Sequence, residues 1–162
     1  MGRSDEKNGY VSDEQASLGA RLLAEATGTA LLVMAVVGSG IMAQRLSPND
    51  VGLQLLENAA ATVGALIALI LALGPVSGSH FNPVVSLVTR LFGGMSTRDL
   101  GLYSVVQIVG GCIGAMVANL MFELDAINLS TKDRSSGALW LSEVVATLGL
   151  VLIIFGIVRS GQ

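Results

Sequence analysis

The stretch Gly74-Pro75-Val76-Ser77-Gly78-Ser79-His80-Phe81-Asn82-Pro83-Val84 decides how the rest of the chain is read. It lies between long apolar runs and holds two of the three prolines and the single histidine. Pro83 lacks an N–H and presets a helical φ, so Asn82 is expected as the N-cap of a helix that starts at Pro83. The run Pro83 to Leu91 gives about two turns before Gly93-Gly94 stops it. A bilayer takes roughly 20 apolar residues to span. A half-length helix with an irregular lead-in is tolerated at membrane depth only where it lines a cavity or is buried in protein. That pattern predicts a channel or transporter site.

Composition agrees with a membrane setting. Apolar residues make up 52% of the chain and charged residues 13%, and the mean hydropathy is +0.69. Soluble domains carry about 25% charged residues, so the balance points to an integral membrane protein. The net charge of −3 is spread over tails and loops, and no basic patch suits a nucleic acid. Cys112 stands alone in an apolar run, which excludes an internal disulfide, and is expected as a small packed core residue.

Residues 1–17 are polar with mixed charges and are expected to be a disordered tail. They do not resemble a signal peptide, because the following apolar run is too long and contains Glu25. Four spans are predicted: about Arg21 to Ala43, Leu53 to Leu73, Leu102 to Phe122 and Ala138 to Val158. The half-helix 83–91 sits between the second and third, and a polar connection over 123–137 precedes the fourth. The third carries Gln107 and the series Gly110, Gly111, Gly114 and Ala115, which permits close helix approach. Gln107 and Asn119 are expected to bond between helices. Six of the nine Lys and Arg residues (Arg3, Lys7, Arg21, Arg90, Arg98, Arg159) share one side of this topology, which predicts a cytoplasmic amino terminus.

The first and fourth spans repeat one another. Glu25-x-x-x-Thr29-x-x-Leu32-Val33 matches Glu143-x-x-x-Thr147-x-x-Leu150-Val151, and Gly38 matches Gly156, at one constant offset. A glutamate inside a membrane helix is costly and marks a function or a fixed partner. The repeat predicts one copy over 18–122, with three spans and a half-helix, and the first helix of a second copy over 138–162. An odd number of spans per copy inverts the second. The counterpart of Asn82 would fall beyond residue 162, so a truncated chain of about two-thirds of a protein is expected.

The segment Ser77-Gly78-Ser79-His80-Phe81-Asn82-Pro83-Val84 resembles the first signature box, Ser-Gly-x-His-x-Asn-Pro-Ala, of the major intrinsic protein family of aquaporins and aquaglyceroporins. The Glu-x-x-x-Thr elements are similar to that family's paired buried glutamates. The resemblance implies an all-α inverted-repeat membrane fold with four spans and one re-entrant half-helix present here. It also implies a pore within each monomer, tetramers, and a site in the plasma or inner cell membrane. Three departures stand out: Val84 replaces the usual alanine, Thr62 falls where the family has an aromatic constriction residue, and the second box with its arginine is absent.

In the box, Asn82 would cap the half-helix with its oxygen and leave its NH2 free to donate to a passing solute. The helix N-terminus adds roughly half a positive charge, which repels cations. An extended backbone at Gly78, Ser79 and His80 would present carbonyl acceptors in a row. His80 is expected to orient the loop more than to bind a ligand. Glu25, Thr29, Glu143 and Thr147 are expected to be buried and structural, with the glutamates holding loop N–H groups. Thr62 is open between pore lining and packing.

The resulting reading is a channel for passive permeation of water or small neutral solutes such as glycerol or metalloid acids, with no enzymatic step, cofactor or metal. Its alternatives are a non-conducting fragment or accessory subunit that needs a second half, and, from the same broken-helix device, an inverted-repeat secondary transporter.

Overall fold

The computed structural model describes residues 16–131, 133 and 135–160. The tail expected to be disordered therefore lies almost wholly outside the described residues. Five helices follow one another: α1 Leu18–Leu46, α2 Val51–Ser77, α3 Pro83–Leu91, α4 Thr97–Met121 and α5 Gly137–Ser160. No strand occurs among the described residues. All but α3 are long and apolar enough to cross a membrane.

Each helix start has a local cause. Ser17 caps α1 through a bond from the Ala20 N–H, Asp50 caps α2 through Leu53 N–H, and Ser96 caps α4 through Asp99 N–H. Such caps satisfy donors that the first turn leaves without intrahelical partners. Asn82 caps α3 in the same way, and Pro83 stands at the first helical position.

The main seam joins α1 to α4, with α2 packed on the other flank of α1. Ala24, Glu25, Gly28 and Thr29 of α1 face Tyr103, Gln107, Gly110, Gly114 and Ala118 of α4, all buried. Their spacing of three and four residues makes one stripe on each helix. The seam is built of small and polar groups, while large apolar side chains such as Leu23, Ile108 and Leu120 point outward. That is the arrangement expected in lipid, where helices associate through close packing and hydrogen bonds rather than apolar burial. A Cβ at Gly110 would overlap the Ala26 carbonyl oxygen, and one at Gly114 the Ala30 carbonyl oxygen. The two contacts advance together by four residues, so α1 and α4 run in the same direction.

Both ends of the seam are pinned by arginine. Arg21 pairs with Asp99 at 3.3 Å where α1 and α4 begin. At the other end, Arg45 donates to the Phe122 carbonyl and lies 5.4 Å from the centre of its ring. Cys112, expected in the core, is exposed instead. It lies two residues from both Gly110 and Gly114 and so points away from the face that meets α1.

α2 extends further than the sequence predicts. It continues through Pro75 to Ser77, because the proline lies in the last turn, where Gly78 ends the helix at φ 87°. The Gly78 N–H bonds to the Gly74 carbonyl at 2.9 Å, and glycine takes this left-handed conformation without a Cβ penalty. α5 packs only against α3 and has no fully buried residue among those described. Its closest aromatic contact is Phe155 on Phe92, with ring centres 5.3 Å apart.

Candidate functional site

Glu25 sits seven residues into α1, about 10 Å along the axis, and is fully buried. Its carboxylate gathers four donors. Oε1 accepts from Ser77 Oγ at 2.6 Å and from the His80 N–H at 3.0 Å. Oε2 accepts from the Phe81 N–H and from Gln107 Nε2, each at 2.8 Å. One side chain thus ties α1 to α4 and to the connection between α2 and α3.

The connection is turned, not extended as the sequence reading has it. Gly78, Ser79 and Phe81 have φ of 87°, 50° and 46°. Left-handed conformations cost a residue with a Cβ roughly 1–2 kcal/mol, and here tertiary bonds hold them. Ser77 Oγ accepts from the Ser79 N–H at 3.1 Å, and Glu25 takes the next two N–H groups. With its N–H groups drawn toward α1, the loop leaves the carbonyls of residues 78–81 without a hydrogen-bond donor among the described residues. Tyr103 closes the floor by donating to the Ser77 carbonyl at 3.0 Å.

α3 starts beside this network and ends at the first turn of α4, where Arg90 Nε donates to Thr97 Oγ1 at 3.0 Å. The chain therefore enters to the depth of Glu25 and Gln107 and returns to the side where α1 and α4 begin. α3 is re-entrant. Asn82 Oδ1 accepts from the Val84 N–H at 2.8 Å, and its NH2 has no partner among the described residues. Val84 is exposed, next to buried Val85 and Ser86.

A cavity of about 430 Å³ opens beside the loop. Gly78, Ser79 and His80 form one wall with Thr89 and Val85 of α3, and Ile70 of α2 lies at its edge. Ile154, Phe155, Ile157 and Val158 of α5 form the opposite, apolar wall. Asn82 and Thr62 are not among the lining residues. Thr62 lies eight residues before Ile70, about 12 Å along α2, and its hydroxyl donates to the Asn58 carbonyl of its own helix at 2.8 Å.

The repeat partners are treated unequally. Thr29 is buried and its hydroxyl has no partner among the described residues. Glu143, expected to be buried, is exposed on α5, and Thr147 is only half-buried. The reason is positional: Glu25 faces the loop that ends α2, whereas no described segment reaches Glu143. Gln107 does bond between helices, to Glu25 and to Ser86. Asn119 instead donates to the Ala126 carbonyl in the connection after α4, at 3.3 Å. Sequence reasoning missed Ser77, Ser86 and Tyr103 as network members. Tyr103 could have been found, because it lies one turn before Gln107 on the same face.

The loop also depends on Gly28. Phe81, 5% exposed, lays its ring where a Cβ at position 28 would be, overlapping it. Gly28→Val is therefore expected to expel the Phe81 ring and free the His80 and Phe81 N–H groups. Hydrogen exchange at these two amides should accelerate at least about tenfold, the equivalent of roughly 1.4 kcal/mol of lost protection. Unchanged exchange would show that the ring does not fix the loop.

The major intrinsic protein profile matches residues 13–162. The aquaglyceroporin AqpS of Rhizobium meliloti is 49% identical over 139 residues, which cover 86% of this chain and 59% of that protein. Aquaporin Z of Brucella melitensis is 30% identical over 152 residues, covering 86% of this chain and 66% of its own. The probable aquaporin NIP7-1 of Arabidopsis thaliana is 29% identical over 133 residues, 82% of this chain and 47% of that protein. The chain thus spans about half to two-thirds of the length of these curated relatives. With the profile running from the polar tail through α5, and with a re-entrant helix held by a buried glutamate, this membrane protein belongs to the major intrinsic protein family.

Proposed function

We infer that the chain contributes the wall of a passive channel for water or small uncharged solutes, with no chemical step. The observation that carries this is the cavity itself, lined on one side by Gly78, Ser79 and His80, whose carbonyls take no donor among the described residues, and on the other by apolar α5 side chains. Such a surface replaces hydrogen bonds that a neutral hydroxylic solute leaves in water, and gives its carbon atoms an apolar face. An ion gains little from it. The α3 N-terminus, at the depth of Glu25, adds a positive field that disfavours cations. The relatives named as aquaglyceroporin and aquaporin support the same solute range, with glycerol and neutral metalloid acids as candidates beside water.

In this reading Gly78, Ser79 and His80 line the cavity, Asn82, which lies outside its lining, offers its free NH2 to the solute where the path passes the start of α3, and Pro83 with Val84 sets that start. Thr62 is assigned to packing on the geometry of its hydroxyl. Residues 18–122 form a first repeat and 138–162 open a second, on the strength of the Glu25 and Glu143 patterns. A cell-membrane location, a cytoplasmic amino terminus and a homotetramer complete the proposal, supported by charge placement and family resemblance.

Proteoliposomes that contain the chain should swell and shrink faster than empty vesicles in stopped-flow light scattering, with water and then with glycerol. Asn82→Asp keeps a capping oxygen but removes the NH2 donor and adds a negative charge at membrane depth. Flux is expected to fall about tenfold, which corresponds to roughly 1.4 kcal/mol on the barrier. Correctly inserted protein that leaves permeability at background would overturn the channel reading for this chain.

A further inference from the structure

The end of the molecule where α1 and α4 begin carries charge of nearly one sign. α3 and α5 finish there: Phe92, just past α3, meets Phe155 in the last two turns of α5, with ring centres 5.3 Å apart. Thr89 and Val158 line the same cavity, and Arg90 and Arg159 directly follow them in sequence. Arg98 lies in the first turn of α4, next to Thr97, whose hydroxyl accepts from Arg90 Nε at 3.0 Å. Among the described residues this end therefore holds Arg21, Arg90, Arg98 and Arg159 against one carboxylate, Asp99. Arg21 already pairs with Asp99, at 3.3 Å. Glu25 lies deeper and is engaged by the loop, while Asp50, Glu57, Glu123 and Asp125 belong to the opposite end. Three arginines are left without a counter-charge.

The three are not equivalent. Arg90 is half-buried, and its bond to Thr97 orients the guanidinium while both Nη groups have no partner among the described residues. An arginine held in this way presents a planar fork that matches two oxygens of a phosphate. Arg98 and Arg159 are exposed, with no hydrogen bond or ion pair among the described residues. Leu91 and Phe92 adjoin them and are bare, at 73% and 75% exposure. The corner thus sets cationic groups beside uncovered apolar side chains, at the end of the membrane-crossing helices. A soluble anion would engage only the first. A phospholipid engages both, because its phosphate and its acyl chains meet at that depth.

We propose that the corner formed by Arg90, Arg98 and Arg159 holds the phosphate of an anionic phospholipid, with Leu91 and Phe92 against its acyl chains. Arg90 supplies the oriented fork, and the other two supply charge. An anionic lipid is favoured over a zwitterionic one because a choline or ethanolamine group carries its own positive charge into a corner that lacks anions. The site goes beyond the channel reading and does not require that the chain conduct.

Native mass spectrometry of the full chain, released from neutral detergent, counts the lipids retained after titration with phosphatidylglycerol or phosphatidylcholine. Phosphatidylglycerol should bind about tenfold more tightly than phosphatidylcholine. A basic residue near an anionic headgroup contributes roughly fivefold, so Arg98→Gln combined with Arg159→Gln should weaken retention about 25-fold. These two side chains have no bonds to lose among the described residues, so helicity and thermal unfolding should match the wild type. Arg90→Lys keeps the charge without the fork and should weaken binding by about threefold or more. Inorganic phosphate should not displace the lipid. Equal retention of the two lipids overturns the proposal, as does a double variant that binds like the wild type. Displacement by inorganic phosphate overturns the lipid assignment in favour of a free oxyanion, and an Arg90→Lys chain that binds fully overturns the fork.

Discussion

Glu25→Ala is expected to cost about 3–5 kcal/mol of stability, the range for removing one partner from a buried charged network. The substitution strands the Ser77 hydroxyl, the His80 and Phe81 N–H groups and the Gln107 amide together. Each buried donor without a partner costs roughly 1–3 kcal/mol. Relaxation toward the cavity lets some of them reach water, so the total stays below the sum. The left-handed residues Ser79 and Phe81 then lose the bonds that hold them, and the loop opens. Unfolding in detergent, followed by helicity as temperature rises, reads the loss. Glu25→Gln keeps one acceptor: its single carbonyl oxygen can replace only one of the two carboxylate oxygens, so one loop N–H group keeps its bond while the other faces an NH2, and stability should fall between the wild type and alanine. Equal stability of all three would show that the carboxylate does not hold the loop.

Gly114→Val should be nearly as damaging, through sterics alone. The new Cβ would overlap the Ala30 carbonyl oxygen, and backbone cannot rotate aside as a side chain does. α1 and α4 must separate, at a cost above the usual 1–3 kcal/mol for overpacking, because the whole seam moves. Gly111→Ala is the matched control. Its Cβ would meet Val33 and Thr29 side-chain atoms at 3.6 and 3.8 Å, ordinary contact distances, and should change stability by less than about 0.5 kcal/mol. Folded yield in detergent and thermal unfolding distinguish the two. A tolerated valine at 114 would mean that the helices do not meet where the seam places them.

Local chemistry explains which features could be read from the chain. The Asn82-Pro83 pair announces a helix start because proline excludes most other conformations, and α3 begins there. The long spans follow from length and hydropathy. Pro75 misled in the other direction: a proline in a last turn need not end the helix, and α2 runs two residues past it. The turned backbone at Ser79 and Phe81 had no local signal, since neither residue favours positive φ. It exists because a carboxylate more than fifty residues earlier pulls on the intervening N–H groups. Glu25 was legible as a structural anchor through its copy at 143, yet the copy itself is exposed. Sequence identity between repeats reports shared ancestry of form, while burial depends on what each copy faces.

The bond between Glu25 and Gln107 spans 82 residues of chain, and that separation sets a clock on biogenesis. A ribosome adding about 5–20 residues per second delivers Gln107 on the order of 4–16 s after Glu25. Ser77 and the loop amides arrive sooner, yet they cannot dock fully until α4 supplies the opposite wall. For those seconds α1 carries a glutamate whose full set of partners is not yet made, in a helix that enters the bilayer before α4. Insertion of α1 is therefore expected to be provisional, with the helix shielded by the insertion machinery until α4 emerges and commits it.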